Sequence, residues 1–200
     1  MVKDIFKFFK ERLLTHFLGM LISFTVALAA GYIMAVNTDA EIKMKIFEAV
    51  KGVIEGAGAI DGDGNISALG IFINNLRACA NITVMGLVPF LFSPYVSVMM
   101  NGMLVGAVLG IVSGSFSQTV IYFVTLILPH GIFEIPAVAL SGAMGTSLCI
   151  LISAKIFGRK REEKILTRAV MTARTFFVMV LPLVAVAAVI EGIVLPAILG

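Results

Sequence analysis

Apolar residues along the chain fall into five long runs, which are separated by segments containing charged residues, glycine or proline. A helix that crosses a membrane needs about 20 mostly apolar residues. The runs predict membrane-spanning helices at Phe17–Val36, Phe72–Phe92, Tyr95–Val112, Ile132–Ile156 and Thr175–Leu195. The pattern therefore predicts an all-α fold, a polytopic membrane helix bundle of about five transmembrane helices in a single membrane domain over residues 1–200.

One further apolar run, Thr119–Leu128, is too short to cross a bilayer alone. It directly precedes the fourth predicted span, and we interpret it as a short re-entrant or broken helix. The first apolar run follows a basic segment, an arrangement also found in cleaved signal peptides. Its length favours an uncleaved first span.

Composition supports a membrane protein and argues against a nucleic-acid-binding one. The chain is 60% hydrophobic with a mean hydropathy of +1.06, and only 14% of its residues are charged. Soluble domains carry about a quarter charged residues. The formal net charge is +3, but the basic residues are concentrated in two places, so we expect no nucleic-acid partner.

The placement of charge predicts the orientation in the membrane. The first 12 residues and residues 155–174 together hold 11 of the 15 Lys and Arg residues. Residues 37–68 instead hold six acidic residues and three lysines. The positive-inside rule places the N-terminus and a basic loop at 157–174 in the cytoplasm. We therefore expect a multi-pass protein of the cell membrane, with the acidic 37–68 loop and the C-terminus extracytoplasmic.

The acidic loop contains two local patterns. Residues 43–51 alternate apolar and charged positions at helical spacing, which predicts an amphipathic helix. Asp61–Asn65 reads DGDGN, like the start of a calcium loop, but Ile66 and Phe72 stand where that loop needs Gly and Glu. We interpret this segment as a polar turn and the whole loop as a surface for extracytoplasmic partners.

Polar and charged residues inside or beside the spans are the candidate chemistry. A charge in the hydrocarbon costs about 3 kcal/mol on insertion scales, so such residues pair or face protein and water. Counting along the spans places the charged ones together in the outer leaflet. We predict a buried polar cluster in which Arg77 forms an ion pair with Glu134 or Glu191. Its members are Asn74, Asn75, Arg77, Asn101, His130, Glu134 and Glu191.

The segment LPHGIFEIPAV combines this chemistry with helix breakers, namely Pro129, Gly131 and Pro136. Pro129 suits the first turn of a helix, where its missing N–H does no harm. His130 and Glu134 are four residues apart, so both can face the same way. Pro136 leaves one backbone carbonyl without its helical donor. Discontinuous helices of this kind build binding sites in many transporters.

A glycine stripe marks the third span, where Gly102, Gly106, Gly110 and Gly114 recur every four residues. Small residues at this spacing allow another helix to approach closely. We expect this helix-packing stripe to act within the bundle. A seam between two copies, and hence a homo-oligomer, is the alternative.

Three functional interpretations of the polar cluster compete. His130, Glu134 and Glu191 can supply three zinc ligands, but the sequence lacks an HExxH motif. It also contains no nucleophile–base pair, phosphate loop or redox motif. We predict no catalytic residues, no metal and no cofactor, which leaves a structural ion pair or a transport pathway.

Four segments resemble the stage II sporulation protein M family of integral membrane proteins: NNLRACANITVMGLVPFLFSP, NGMLVG, ILPHGIFEIPAVALSGAMG and VIEGIVLP. The most specific part is the Pro-His-Gly-x-x-Glu-x-Pro-Ala block that begins at Pro129. The resemblance covers residues 71–196. In spore-forming bacteria the namesake works with two cell-wall hydrolases at the engulfing septum, as a membrane scaffold or recruiter.

This resemblance implies a non-enzymatic membrane scaffold or assembly partner. The expected partners are the lipid bilayer and other membrane or extracytoplasmic proteins. The alternative is a transporter or channel-like protein that uses a polar site at Arg77, His130, Glu134 and Glu191.

Overall fold

The computed structural model describes residues 2–56, 67–159 and 162–199. Within these ranges the chain forms six helices and no β-strand. They are α1 (Val2–Val36), α2 (Ala40–Gly56), α3 (Ala68–Met85), α4 (Ser93–Val112), α5 (Phe116–Ile156) and α6 (Ile165–Ala197). All except α2 are long and apolar enough to cross a membrane. The predicted all-α bundle with five spans is therefore confirmed.

The helix α2 lies in the loop that was predicted to be acidic and partly helical. Its first turns carry the ion pair between Lys45 Nζ and Glu41 Oε1, at 2.6 Å. The calcium-like segment Asp61–Asn65 lies outside the described residues. Ser67 then starts α3, because its Oγ accepts a hydrogen bond from the backbone N–H of Gly70 at 3.1 Å.

The boundary at the end of α3 differs from the prediction. The helix ends at Met85 instead of Phe92. In the connection to α4, Phe90 and Phe92 have φ angles of 69° and 46°, in the left-handed region that non-glycine residues rarely adopt. The backbone N–H of Phe90 donates to Ser153 Oγ at 3.1 Å, which ties this loop to the end of α5. The apolar residues here form a turn rather than more helix, and most of them are exposed.

The helix α5 is the centre of the bundle. In its most apolar window 78% of the residues are buried, against 22% to 28% for the other four spans. Every residue from Ala137 to Cys149 is buried, and more than half of them are Ala, Gly, Ser or Thr. Small residues let helices approach closely on all sides of α5. The buried position of α5 explains why the stretch around it carries so little charge.

The glycine stripe of α4 packs against α1. A Cβ atom added at Gly102 or Gly106 would clash with the backbone carbonyl of Phe24 or Leu28. Gly110 continues the contact, whereas Gly114 meets only the side chain of Gln118. Because α1 covers the first three glycines, the close approach they permit is used inside the molecule.

The short apolar segment before the fourth span is part of α5. Residues Phe116–Tyr122 pass through a π-helical turn, Phe123–Ile127, into the α-helical segment Leu128–Ile156. Pro129 lies in the first turn of that segment, and Pro136 lies inside it. Both prolines therefore lie within one continuous helix, and the π-helical turn ends just before Pro129.

Charged residues where α1, α5 and α6 meet form a cluster that we call the basic end. Arg168 is only 6% exposed. Its Nε and Nη2 donate to the two carboxylate oxygens of Glu163 at 2.7 and 2.5 Å, and Nη1 donates to Ser147. Arg12 adds an ion pair to Glu163 at 3.7 Å, and the Arg168 guanidinium lies 5.6 Å from the centre of the Phe8 ring.

The basic end corrects the predicted loop at 157–174. The helix α6 begins at Ile165, so much of that segment is helical. Arg168 is a buried partner in an ion pair, not an exposed loop cation. The hydrogen bonds from Arg168 hold the pKa of Glu163 below its ordinary value.

Candidate functional site

Two residues of α5 form the base of the candidate site. His130 and Glu134 lie one helical turn apart on the same face of the segment that follows the π-helical turn. His130 Nε2 is 3.9 Å from Glu134 Oε2, within ion-pair range but too long for a hydrogen bond. Both side chains are mostly buried.

Glu191 of α6 completes the cluster. It lies in the π-helical turn Ile190–Val194, and such turns redirect side chains that a regular helix would place elsewhere. One ligand atom each from His130, Glu134 and Glu191 lies within 4.8 Å of the other two. The next residue, Gly192, packs so tightly on the backbone of Ala68 in α3 that a Cβ there would clash. This close contact fixes the height of Glu191 in the bundle.

The imidazole of His130 lacks hydrogen-bond partners. Its Nδ1 is buried and makes no hydrogen bond within the described part of the chain. A buried polar atom left without a partner costs about 1–3 kcal/mol. The ring is therefore in a position to accept a ligand that the protein itself does not provide.

A small cavity of about 40 Å³ adjoins His130 and Glu134. Asn101 also lines it, and its Nδ2 donates to the backbone oxygen of Ser97 at 2.8 Å. A single water occupies about 10–15 Å³ on this measure, so the cavity has room for a few water molecules. The remaining lining residues are Phe24, Val105, Ile127, Gly131, Ile135 and Val138.

The structure thus brings together four of the seven predicted cluster residues. Asn101 shares the cavity with His130 and Glu134, and Glu191 contacts the latter two from α6. The three residues of α3 lie elsewhere. The side chains of Asn74 and Arg77 are exposed, and Asn75 is half-buried with a 3.4 Å contact from Asn74 Nδ2 to its Oδ1.

The predicted ion pair of Arg77 with Glu134 or Glu191 is wrong: within the described ranges, Arg77 makes no salt bridge. The helix α3 packs on its neighbours through Ile71, Cys79 and Ile82. At 100° per residue, Arg77 points away from that face. The prediction rested on the depth of Arg77 along the span and left out the side of the helix on which Arg77 lies. The spacing of these buried apolar residues was the signal that could have located Arg77 correctly.

The three side chains can together bind a proton or a cation. Two carboxylates this close repel each other unless a proton or a cation lies between them. An imidazole nitrogen with two carboxylate oxygens is a common set of ligands for divalent transition metals. Among the described residues, those that line the cavity carry no hydroxyl or thiol group.

Comparison with known proteins identifies the family. Searches of curated proteins and of solved structures give no match. The sequence profile of the family described as Stage II sporulation protein M matches residues 20–196, which include every residue of the candidate site. The chain belongs to the stage II sporulation protein M family of membrane proteins.

Proposed function

We propose that this protein is a non-enzymatic membrane scaffold that binds a partner protein inside the bilayer. The observation that supports this most directly is an exposed polar stripe on α3. Asn74, Arg77 and Asn81 are all exposed and recur at i, i+3 and i+7, so they share one side of the helix. We call these three residues the α3 polar face.

The position of the α3 polar face makes contact with lipid alone unfavourable. The helix has 18 residues, which span about 27 Å, and Arg77 lies near its middle. A charge at that depth costs about 3 kcal/mol or more, and polar residues in spans normally face protein or water. Because α5 and α6 lie on the other side of α3, the described part of the chain leaves this face uncovered.

The charge of the α3 polar face indicates the chemistry of the partner. A two-fold symmetric dimer through this face would place the Arg77 side chains of both copies at the same depth and close to each other. Such a pair of like charges is destabilising in a medium of low dielectric constant. We therefore propose a different membrane protein, whose spanning helix presents a carboxylate at the depth of Arg77. The exposed apolar residues Leu69 and Val84 provide packing contacts above and below it.

The partner can be identified by crosslinking in native membranes. A photoreactive amino acid replaces Asn81, and Arg77 is either kept or changed to Glu. The control places the same probe at Ile22, which is exposed on α1. We expect a crosslink to one membrane protein from position 81 only, which Arg77→Glu abolishes. Reversing the charge of the partner's carboxylate should then restore the crosslink to Arg77→Glu.

Three outcomes would overturn this proposal. Crosslinks between two copies of this chain would indicate a homo-oligomer. Crosslinks only to lipid would indicate that Arg77 reaches the headgroups. A protein crosslink that persists in Arg77→Glu would show that the charge has no part in recognition.

The second candidate function, transport, is supported by the cavity beside His130 and Glu134. Its volume accommodates only a few water molecules, and Arg77 does not line it. In proteoliposomes that contain a pH-sensitive or zinc-sensitive dye, a scaffold predicts no flux above that of empty vesicles. A transporter predicts flux that Glu134→Gln abolishes.

The orientation is also part of the proposal. The basic end holds Arg12 and Arg168, and the positive-inside rule places it in the cytoplasm. The N-terminus then lies in the cytoplasm and the C-terminus outside. Cysteine labelling with a membrane-impermeant maleimide, at engineered sites in α2 and near Arg159, tests this orientation. Labelling of intact cells near Arg159 would reverse it.

A further inference from the structure

We infer that His130, Glu134 and Glu191 bind one divalent transition-metal ion, for which Zn²⁺ is the best match. This inference is independent of the proposed scaffold function. It rests on the convergence of three ligand groups from two helices, and on the finding that no Lys or Arg of the described ranges pairs with either carboxylate. It also revises the expectation from sequence that no metal is bound.

The distances suit a metal after small rotations of the side chains. Zinc lies about 2.0–2.2 Å from nitrogen and oxygen ligands, so two ligand atoms in a tetrahedral shell are about 3.4 Å apart. In the structure His130 Nε2 and Glu134 Oε2 are 3.9 Å apart, and all three residues place a ligand atom within 4.8 Å of the others.

The charges require a counter-ion. Glu134 and Glu191 face each other in largely apolar surroundings, and among the residues that the structure describes no Lys or Arg forms an ion pair with either. The structure places Arg77 on the far side of α3. A divalent cation held by His130 Nε2 and the two carboxylates would neutralise both negative charges.

The chemical types of the three ligand atoms indicate which metal ions the site would prefer. A nitrogen with two carboxylate oxygens suits Zn²⁺, Mn²⁺ or Fe²⁺ better than Mg²⁺ or Ca²⁺, which prefer oxygen ligands only. Three protein ligands leave a further coordination position. The cavity of about 40 Å³ next to His130 and Glu134 can supply a water molecule for it.

Zinc binding to the full-length chain tests the inference directly. The protein is purified in detergent without a histidine tag, stripped with a chelator and titrated with zinc sulfate by calorimetry. Metal content after gel filtration gives the stoichiometry. Cobalt substitution gives an absorption spectrum that reports nitrogen and oxygen ligands. We expect one zinc ion per chain and no competition from Mg²⁺ or Ca²⁺.

Matched variants locate the ion. We expect His130→Asn, Glu134→Gln and Glu191→Gln each to weaken zinc binding at least about 100-fold, since even outer-shell changes cost 10- to 100-fold. His16→Asn changes the other histidine of the chain and should bind zinc as the wild type does. Each variant must elute from gel filtration as the wild type does; if one does not, the other two still locate the ion.

Two results would overturn the inference. The first is a wild-type chain that binds no zinc, which would leave a shared proton as the species between the two carboxylates. The second is zinc binding that all three variants retain, which would place the ion elsewhere. Neither result affects the scaffold proposal, because the α3 polar face lies outside this cluster.

Discussion

Glu134 on α5 and Glu191 on α6 hold carboxylate oxygens within 4.8 Å of each other, although neither forms an ion pair with a Lys or Arg in the described part of the chain. In a buried structural salt bridge, each carboxylate would be paired with a Lys or Arg side chain. Among the described residues, the one contact of ion-pair length to either carboxylate is the 3.9 Å between His130 Nε2 and Glu134 Oε2. The relationship therefore indicates a binding site for a proton or a cation rather than a structural ion pair.

Replacement by leucine should affect stability far more at Arg168 than at Arg77. Arg77 makes no salt bridge in the described ranges, so Arg77→Leu should change the free energy of unfolding of the isolated protein by less than about 0.5 kcal/mol. Arg168 is buried and bonded to Glu163, so Arg168→Leu should cost about 3–5 kcal/mol. Thermal unfolding in detergent measures both. Equal effects would contradict the assignment of the two arginines.

Low pH should reduce the stability that the ion pair between Glu163 and Arg168 contributes at the basic end. Hydrogen bonds from Arg168 lower the pKa of Glu163 below its ordinary value of 4.5. The stabilising effect of the ionised carboxylate is therefore complete above that value and is lost as the pH falls through the lower folded-state pKa. We expect Glu163→Gln to lower the unfolding temperature at pH 7, and this effect to shrink progressively as the pH falls below 4.5. Glu162→Gln, at an exposed neighbouring position, is the control. A pH-independent difference would contradict the mechanism.

Replacing a glycine of α4 by alanine should reduce stability only where the glycine contacts the backbone of α1. Gly106→Ala places a Cβ atom against the carbonyl of Leu28, and overpacking of this kind costs about 1–3 kcal/mol. Gly114→Ala meets only the flexible side chain of Gln118 and should change stability little. Unfolding temperatures of the two variants, measured side by side, provide the comparison. Equal loss at both positions would show that the glycines matter for another reason.

Much of the fold was predictable because its causes are local in sequence. The lengths of the apolar runs set five spans, and Ser67 marked the start of α3. The proximity of Glu134 and Glu191 also followed from counting residues along their spans. The end of α3 at Met85 was missed, because the apolar residues that follow form a loop held by contacts to α5.

The remaining features depend on contacts between distant segments. Glu191 lies in the π-helical turn Ile190–Val194, and no local sequence pattern there predicts such a turn. The pairing of Arg168 with Glu163 depends on how α6 enters the bundle against α5. Arg77 was misplaced for a different reason: the spacing of the buried residues in α3 was available and was not applied to its face.

Thermal unfolding of the wild type and of Glu134→Gln, each with and without zinc, tests the cation site most directly. A ligand at 100 times its Kd stabilises by about 2.7 kcal/mol, so zinc should raise the unfolding temperature of the wild type by about 5 °C or more. Glu134→Gln should gain nothing from zinc. Without metal, the variant should unfold at a higher temperature than the wild type, because it lacks one of two repelling carboxylates. Equal responses to zinc, together with a metal-free variant that is less stable than the wild type, would contradict the account.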